Sequence, residues 1–143
     1  MRKARKIVLA EDSQADFEIM KNAFEGLTMG LELIHVKDGK ELIDFLNNET
    51  LSKVAVVMLD LDMPNIDGMQ VLKTLYDDQE LKKVPVVVFS ALSDRQTILD
   101  CYDNGANAYV KKPNNTEEYG STLSAIANFW ADINVLPGFN SRD

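Results

Sequence analysis

A single cysteine, few basic residues and no long apolar run are the first things the 143-residue chain shows. With Cys101 alone there is no internal disulfide, and its place in the helical pattern Ile98, Cys101, Tyr102 marks it as buried filler rather than a redox thiol. The 15 basic residues against 23 acidic give a formal charge of −8, which argues against a nonspecific nucleic-acid or membrane surface. No apolar stretch approaches the ~20 residues of a membrane span. The basic start, Met1 to Lys6, is followed by only a short apolar run before Glu11 and Asp12. It reads as a solvated leader rather than a signal peptide, and the cytoplasm is the default location. Internal repeats, linkers and low-complexity segments are also absent. Residues 1–143 are therefore expected to form one domain, with a core over about 5–132 and a tail at 134–143.

What is there begins with V-A-V-V-M-L-D-L-D-M-P-N-I-D-G, Val54 to Gly68. The apolar run Val54 to Leu59 suits a strand covered on both faces, and it stops at a carboxylate, Asp60. In open α/β sheets ligands bind at the carboxyl ends of strands, so an acid there is placed for chemistry. Pro64 and the Asp67-Gly68 pair then break the strand and open a turn. Three other runs end in the same way. Ile7 to Ala10 ends in Glu11-Asp12, Val84 to Phe89 ends in Ser90-Ala91, and Ala108 to Lys111 ends in Lys112-Pro113. Parallel strands would bring two acids, a third acid, a hydroxyl and an ammonium to one edge. Carboxylates meeting there repel unless a cation intervenes, and hard oxygen ligands suit Mg²⁺. A carboxylate beside Mg²⁺, a hydroxyl and a lysine can accept a phosphoryl group.

The remainder alternates strand and helix. Phe17, Met20, Phe24 and Leu27 follow helical spacing after Asp12 or Ser13 as cap, with Gly26 or Gly30 near the end. Leu31 to Val36 is a strand, and Asp38-Gly39 turns into a helix with Leu42, Phe45 and Leu46 that Asn47-Asn48 releases. Gly68 begins a third helix with Met69, Leu72, Leu75 and Tyr76 buried, and the charged stretch Asp77 to Lys83 reads as a solvated loop. Ser93 or Asp94 caps a fourth helix that Gly105 ends, and Asn115 or Thr116 opens a fifth. Five βα units imply an α/β fold with a parallel sheet and right-handed crossovers.

Glu11-Asp12, Asp60 with M-P-N-I-D-G, Ser90-Ala91, Gly105-Ala106-Asn107, Tyr109 and Lys112-Pro113 stand in an order and spacing that resembles the receiver domain of two-component response regulators. The resemblance spans roughly residues 5 to 132 and implies a doubly wound, flavodoxin-like (CheY-like) five-stranded sheet of order 2-1-3-4-5. It implies that Asp60 is the phosphoacceptor, that Glu11 and Asp12 with Asp60 hold Mg²⁺ or Mn²⁺, and that the Asp62 backbone carbonyl completes the ligands. Ser90, Ala91 and Lys112 would contact the phosphoryl group, Tyr109 would respond to it, and the bond before Pro113 would be cis. The donor implied is a sensor histidine kinase, and the response is a remodelled face of the fourth helix, fifth strand and fifth helix. That face would act on a downstream protein, not as an enzyme. Asp62 and Leu92 stand two residues beyond Asp60 and Ser90, at positions that tune dephosphorylation in the family. Phe129-Trp130 with Leu136-Pro137 resembles the small regulators that serve bacterial phytochromes.

Other residues take plainer readings. His35 is expected to be packing filler remote from the acidic termini, and the six methionines to be core. Lys111 should face away from Lys112 by the period of two, and Asp38 and Asp67 to form turns. The rival function is a haloacid-dehalogenase-like phosphatase, because Val56 to Asp62 also resembles its first motif with Asp60 as nucleophile. Its metal acids follow the lysine, whereas the acid pair here comes first. A flavodoxin-like cofactor site would need a Ser/Thr/Gly-rich cradle after the first strand, which is lacking. Finally, Tyr119, Leu123, Ile126, Ala127, Phe129, Trp130 and Ile133 cover an arc of roughly 160° on the helical period, more than the ~100° that seats a helix on a sheet. With Leu136, Pro137 and Phe139 extending it, a homodimer through the fifth helix and tail is expected.

Overall fold

The computed structural model describes residues 4–27, 30–63 and 67–139. The expectations for Met1 to Lys3, for Pro64 to Ile66 and for the last residues of the tail lie outside them. Strands β1 (Lys6–Ala10), β2 (Glu32–Val36), β3 (Val54–Leu59), β4 (Val86–Ser90) and β5 (Ala108–Lys111) alternate with helices α1 (Gln14–Glu25), α2 (Gly39–Asn47), α3 (Gly68–Asp77), α4 (Arg95–Asp103) and α5 (Thr116–Ala127). All strand pairings are parallel, in the order β2-β1-β3-β4-β5. This is the doubly wound order that the sequence implied.

Alternation along the strands divides the core into two layers. Val8, Ala10, Val57, Leu59, Val86 and Val88 face α2, α3 and α4, while Ile7, Leu9, Val56, Met58, Val87 and Phe89 face α1 and α5. Every residue of β3 is buried, as a central strand covered on both faces requires. Each such Val or Leu contributes about 1.5–3 kcal/mol of transfer free energy, and together they hold the end of β3 in place.

Each helix starts on a side chain that accepts from a backbone N–H three residues on. Ser13, Asp38, Asp67, Asp94 and Asn115 do so in turn. A cap of this kind is worth about 0.5–2 kcal/mol, and all five helices follow the carboxyl end of a strand, the sheet edge where the acids gather. Gly105 turns the chain after α4 at φ +100°, where a Cβ would meet Tyr76 Cδ1 at 2.6 Å. A Cβ on Gly68 would meet the Leu61 backbone at 2.5 Å, so glycine lets α3 begin against the loop after Asp60.

Two segments differ from expectation. Asp77 to Lys83 is not simply a solvated loop: Leu81–Lys83 forms a 3₁₀ turn in which Leu81 is buried, because Asp78 Oδ1 accepts from the Glu80 and Leu81 N–H groups and turns the leucine inward. After α5 the chain widens into a π-type turn, Asn128–Ile133, closed by Asn134 N–H donating to the Phe129 carbonyl. The 3.6-residue projection fails there, since i→i+5 spacing rotates Ala131 inward and leaves Phe129 and Ile133 exposed. The tail then folds back. Phe139 is 4% exposed and joins the core layer under α2 and α3, Leu136 packs against that layer, and Lys83 Nζ donates to the Gly138 carbonyl at 3.1 Å. Phe139 therefore does not extend a free apolar edge. An aromatic ring buried in this way removes roughly 150–250 Å² from water, which favours docking of the tail on its own domain.

Candidate functional site

The ladder sets the site. Ala10 pairs with Leu59 and Leu59 with Val88, so Glu11, Asp60 and Ser90 leave the sheet within about a residue of one another. The Asp60 N–H donates to the Ala10 carbonyl at 3.0 Å, which ties the two acidic termini together. Carboxylate oxygens of Glu11, Asp12 and Asp60 lie within 4.8 Å of one another, Glu11 and Asp60 buried and Asp12 exposed. Three hard oxygen donors at that spacing, one open to solvent, fit a divalent cation that keeps part of its water shell. These three residues could hold Mg²⁺ or Mn²⁺.

Lys112 comes from beyond β5, tied by its N–H to the Ser90 carbonyl at 2.8 Å. Its ammonium donates to Glu11 Oε1 at 2.7 Å, Asp16 Oδ2 at 2.8 Å and Asp60 Oδ2 at 3.2 Å. Burial alone would lower its pKa, but the hydrogen bonds it donates to Asp16 and Glu11 and the nearby charges outweigh it and hold it above the ordinary lysine value. Glu11 goes the other way from a typical carboxylate. Burial first, and then the neighbouring Asp60, push it up to about 7 against the pull of Lys112. Four carboxylates around one ammonium are an incompletely neutralised set, which is the electrostatic condition a bound cation would relieve.

Around this centre, Ser90 is buried and its hydroxyl accepts from the Leu92 N–H at 3.2 Å. Ala91 is exposed beside it. The Asp62 side chain points to solvent while its N–H donates to Asp60 Oδ1 at 3.2 Å, so the loop after β3 curls over the Asp60 carboxylate. The Tyr109 hydroxyl donates to the Leu92 carbonyl at 2.7 Å, bridging β5 to the loop before α4. Burial raises its pKa, which keeps the phenol protonated and able to donate. Lys111 is exposed, as the strand period predicts.

One expectation at the site is corrected: no described peptide bond is cis, and the Lys112–Pro113 bond is trans. Trans remains favoured by about 0.5–1 kcal/mol even before proline, and Lys112 reaches all three carboxylates without a cis bend. Two residues were misjudged or missed. His35 is not remote filler, because its Nε2 lies 2.7 Å from the Glu11 carbonyl and its ring stacks on Phe17 at 3.7 Å. A carbonyl can only accept, so Nε2 carries the proton. The register Leu9↔His35 places it one step from the acidic edge, a relation visible only once β1 and β2 are paired. Asp16 was not singled out. Its position three residues after the Ser13 cap, in the first turn of α1, was the available signal.

Comparison with known proteins agrees with this geometry. Residues 7–124 match the model of the response regulator receiver domain. Response regulator Rcp1 of Synechocystis is 30% identical, over 92% of this chain and 92% of that protein. The probable methanogenesis regulatory protein FilR2 of Methanothrix harundinacea is 31% identical over 92% of this chain and 87% of its own length. The phosphorylated cyanobacterial phytochrome response regulator RcpA superposes with a TM-score of 0.86 at 32% identity, covering 94% of this chain and 99% of that one. The Mn²⁺-bound form of Rcp1 gives 0.83 at 28% identity over 94% and 99%. With a sheet of the same order, an acid triad and a lysine at its carboxyl edge, and a family match over most of its length, this chain belongs to the response regulator receiver domains of two-component signalling.

Proposed function

We propose that the protein takes a phosphoryl group onto Asp60 from a histidine kinase and passes the signal on through its α4–β5–α5 face. The observation that carries this reading is the convergence of Asp60, the Glu11-Asp12 pair and the Lys112 ammonium at one edge, within hydrogen-bonding or cation-bridging distance. In the reaction an Asp60 carboxylate oxygen forms a bond to phosphorus as the bond from phosphorus to the kinase's histidine nitrogen breaks. The leaving nitrogen keeps the electron pair, and the product is an acyl phosphate. Lys112 neutralises charge on the transferred oxygens, and the Ser90 hydroxyl turns its proton toward one of them. Glu11, Asp12, Asp60 and the Asp62 carbonyl would hold a divalent cation, which when bound would supply the remaining positive charge. Ser90 and Ala91 then draw the β4–α4 loop toward the anion, and Tyr109, bonded to Leu92 in that loop, moves with it. A differential interaction of a few kcal/mol suffices for such a switch. Leu92, Leu99 and Tyr102, each about half exposed, give the responding face apolar surface for a partner protein.

The reading as a receiver is supported by a match to nearly the full length of Rcp1. The kinship with Rcp1 and with RcpA supports a phytochrome-type histidine kinase as donor. FilR2, equally similar, supports a kinase of another stimulus, and phosphotransfer from each purified kinase type distinguishes them. A homodimer is proposed through the end of α5, where Phe129, Ile133 and Val135 are exposed. The test of the central reading is incubation with acetyl phosphate and Mg²⁺. A stoichiometric gel shift in the parent and none in Asp60→Asn supports it. Labelling of the variant equal to the parent, or sustained turnover of a phosphate ester as a phosphatase would give, refutes it.

A further inference from the structure

An ammonium has three N–H donors, and Lys112 commits one to each of three carboxylates. Two of these acids, Glu11 and Asp60, belong to the cation-binding cluster; Asp16 does not. Asp16 sits in the first turn of α1, where its backbone N–H is fixed by the Ser13 hydroxyl at 3.2 Å, and its carboxylate meets Lys112 at 2.8 Å. A cation in the cluster would answer the charges of Glu11, Asp12 and Asp60 directly. Asp16 would still be answered by Lys112, and would then be the strongest remaining claim on that ammonium.

We propose that Asp16 is a positioning residue that restrains Lys112 and slows phosphoryl transfer to Asp60. The inference rests on the reading of Asp60 as phosphoacceptor. Transfer gathers negative charge on the phosphoryl oxygens, and the lysine can neutralise that charge only to the extent that it is not already neutralising Asp16. Asp16 also adds one unit of negative potential within two hydrogen bonds of Asp60, and this repels an anionic donor in proportion to the donor's charge. Both effects have the same sign.

The test uses the full chain at saturating Mg²⁺ with two small donors, dianionic acetyl phosphate and monoanionic phosphoramidate. With acetyl phosphate, the Asp60 oxygen bonds to phosphorus as acetate leaves with the electron pair of the broken P–O bond. Asp16→Asn keeps the size of the side chain and the capped backbone, so the fold is retained. The expected result is phosphorylation about three- to ten-fold faster than the parent with acetyl phosphate, a smaller gain with phosphoramidate, and a gain that shrinks as salt is raised. Asp16→Glu, which restores the charge, returns the rate toward the parent. A residue that merely supported the fold would not produce this dependence on donor charge and salt. Equal rates in parent and Asp16→Asn overturn the inference, and so does a slower variant, which would make Asp16 a support for the productive lysine. A parent that labels on Asp60 while Asp16→Asn changes nothing defeats this inference alone. A parent that does not label on Asp60 defeats the underlying reading as well.

Discussion

Replacing Glu11 by glutamine should stabilise the metal-free protein, although it removes one partner of an ion pair. Glu11 is 2% exposed, and its carboxyl is pushed from 4.5 up to about 7, by burial first and then by Asp60, with the attraction of Lys112 already counted against that rise. In the unfolded chain the same group ionises near its ordinary value. Between the two pKa values the folded state holds a proton that the unfolded state lacks, so stability rises as pH falls through about 7 and the gain is complete below about 4.5. Above 7 both states are ionised and the penalty is full. At about 1.4 kcal/mol per unit, its ceiling is of order 3 kcal/mol. Glutamine keeps the shape and an acceptor for Lys112 and stays neutral at every pH, so a gain approaching that ceiling of about 3 kcal/mol is expected at pH 8. Urea unfolding in EDTA measures it at several pH values. The variant should exceed the parent at pH 8, and the difference should shrink as pH falls through about 7 and vanish only below about 4.5. Excess Mg²⁺ should reverse the order, because a ligand that binds the folded state raises its stability and Glu11 helps hold it. A metal-free variant less stable than the parent at pH 8, or a difference independent of pH, would refute the reasoning.

Phe139→Ala should cost about 3–5 kcal/mol in denaturant unfolding, since the ring is buried under α2 and α3; a loss below about 1 kcal/mol would mean that the tail does not dock. His35→Leu should weaken Mn²⁺ binding about tenfold by leaving the Glu11 carbonyl without its donor; His35→Gln, which keeps an N–H, should recover most of it in an isothermal titration. Cys101 is fully buried, and burial pushes its thiol up to about 11, so the native protein at pH 8 should not react with a thiol reagent until unfolded. Phe129→Ala should shift micromolar sedimentation toward monomer, because Phe129 is the most exposed phenylalanine on the proposed contact; a parent that is monomeric with and without phosphorylation would remove the dimer.

The sheet and its caps were legible in the sequence because they rest on local signals. The unbroken run Val54 to Leu59 leads to a buried central strand, and Asp94 and Asn115, each one of two residues the sequence offers, cap the helices they precede; Asp38 and Asp67, read only as turn formers, prove to be caps as well. The acid triad was legible too, since in a parallel sheet residues that end strands become neighbours. What escaped depends on pairings between distant segments. The contact of His35 with Glu11 follows from the register of β2 on β1, and that of Asp16 with Lys112 joins α1 to the end of β5. The tail escaped for a different reason. A 3.6-residue projection was carried through a turn with wider spacing, and no local signal placed Phe139 beneath α2 and α3.

The most direct test of the central claim is chemical trapping of the phosphorylated residue. Borohydride reduces an acyl phosphate on aspartate to homoserine, and peptide mass spectrometry then locates the converted residue. After acetyl phosphate and Mg²⁺, homoserine should appear at position 60 alone, and in EDTA it should be absent. Homoserine at Glu11's neighbour Asp12 or elsewhere, or a phosphorylated protein that yields none, would contradict the assignment of Asp60 as the acceptor.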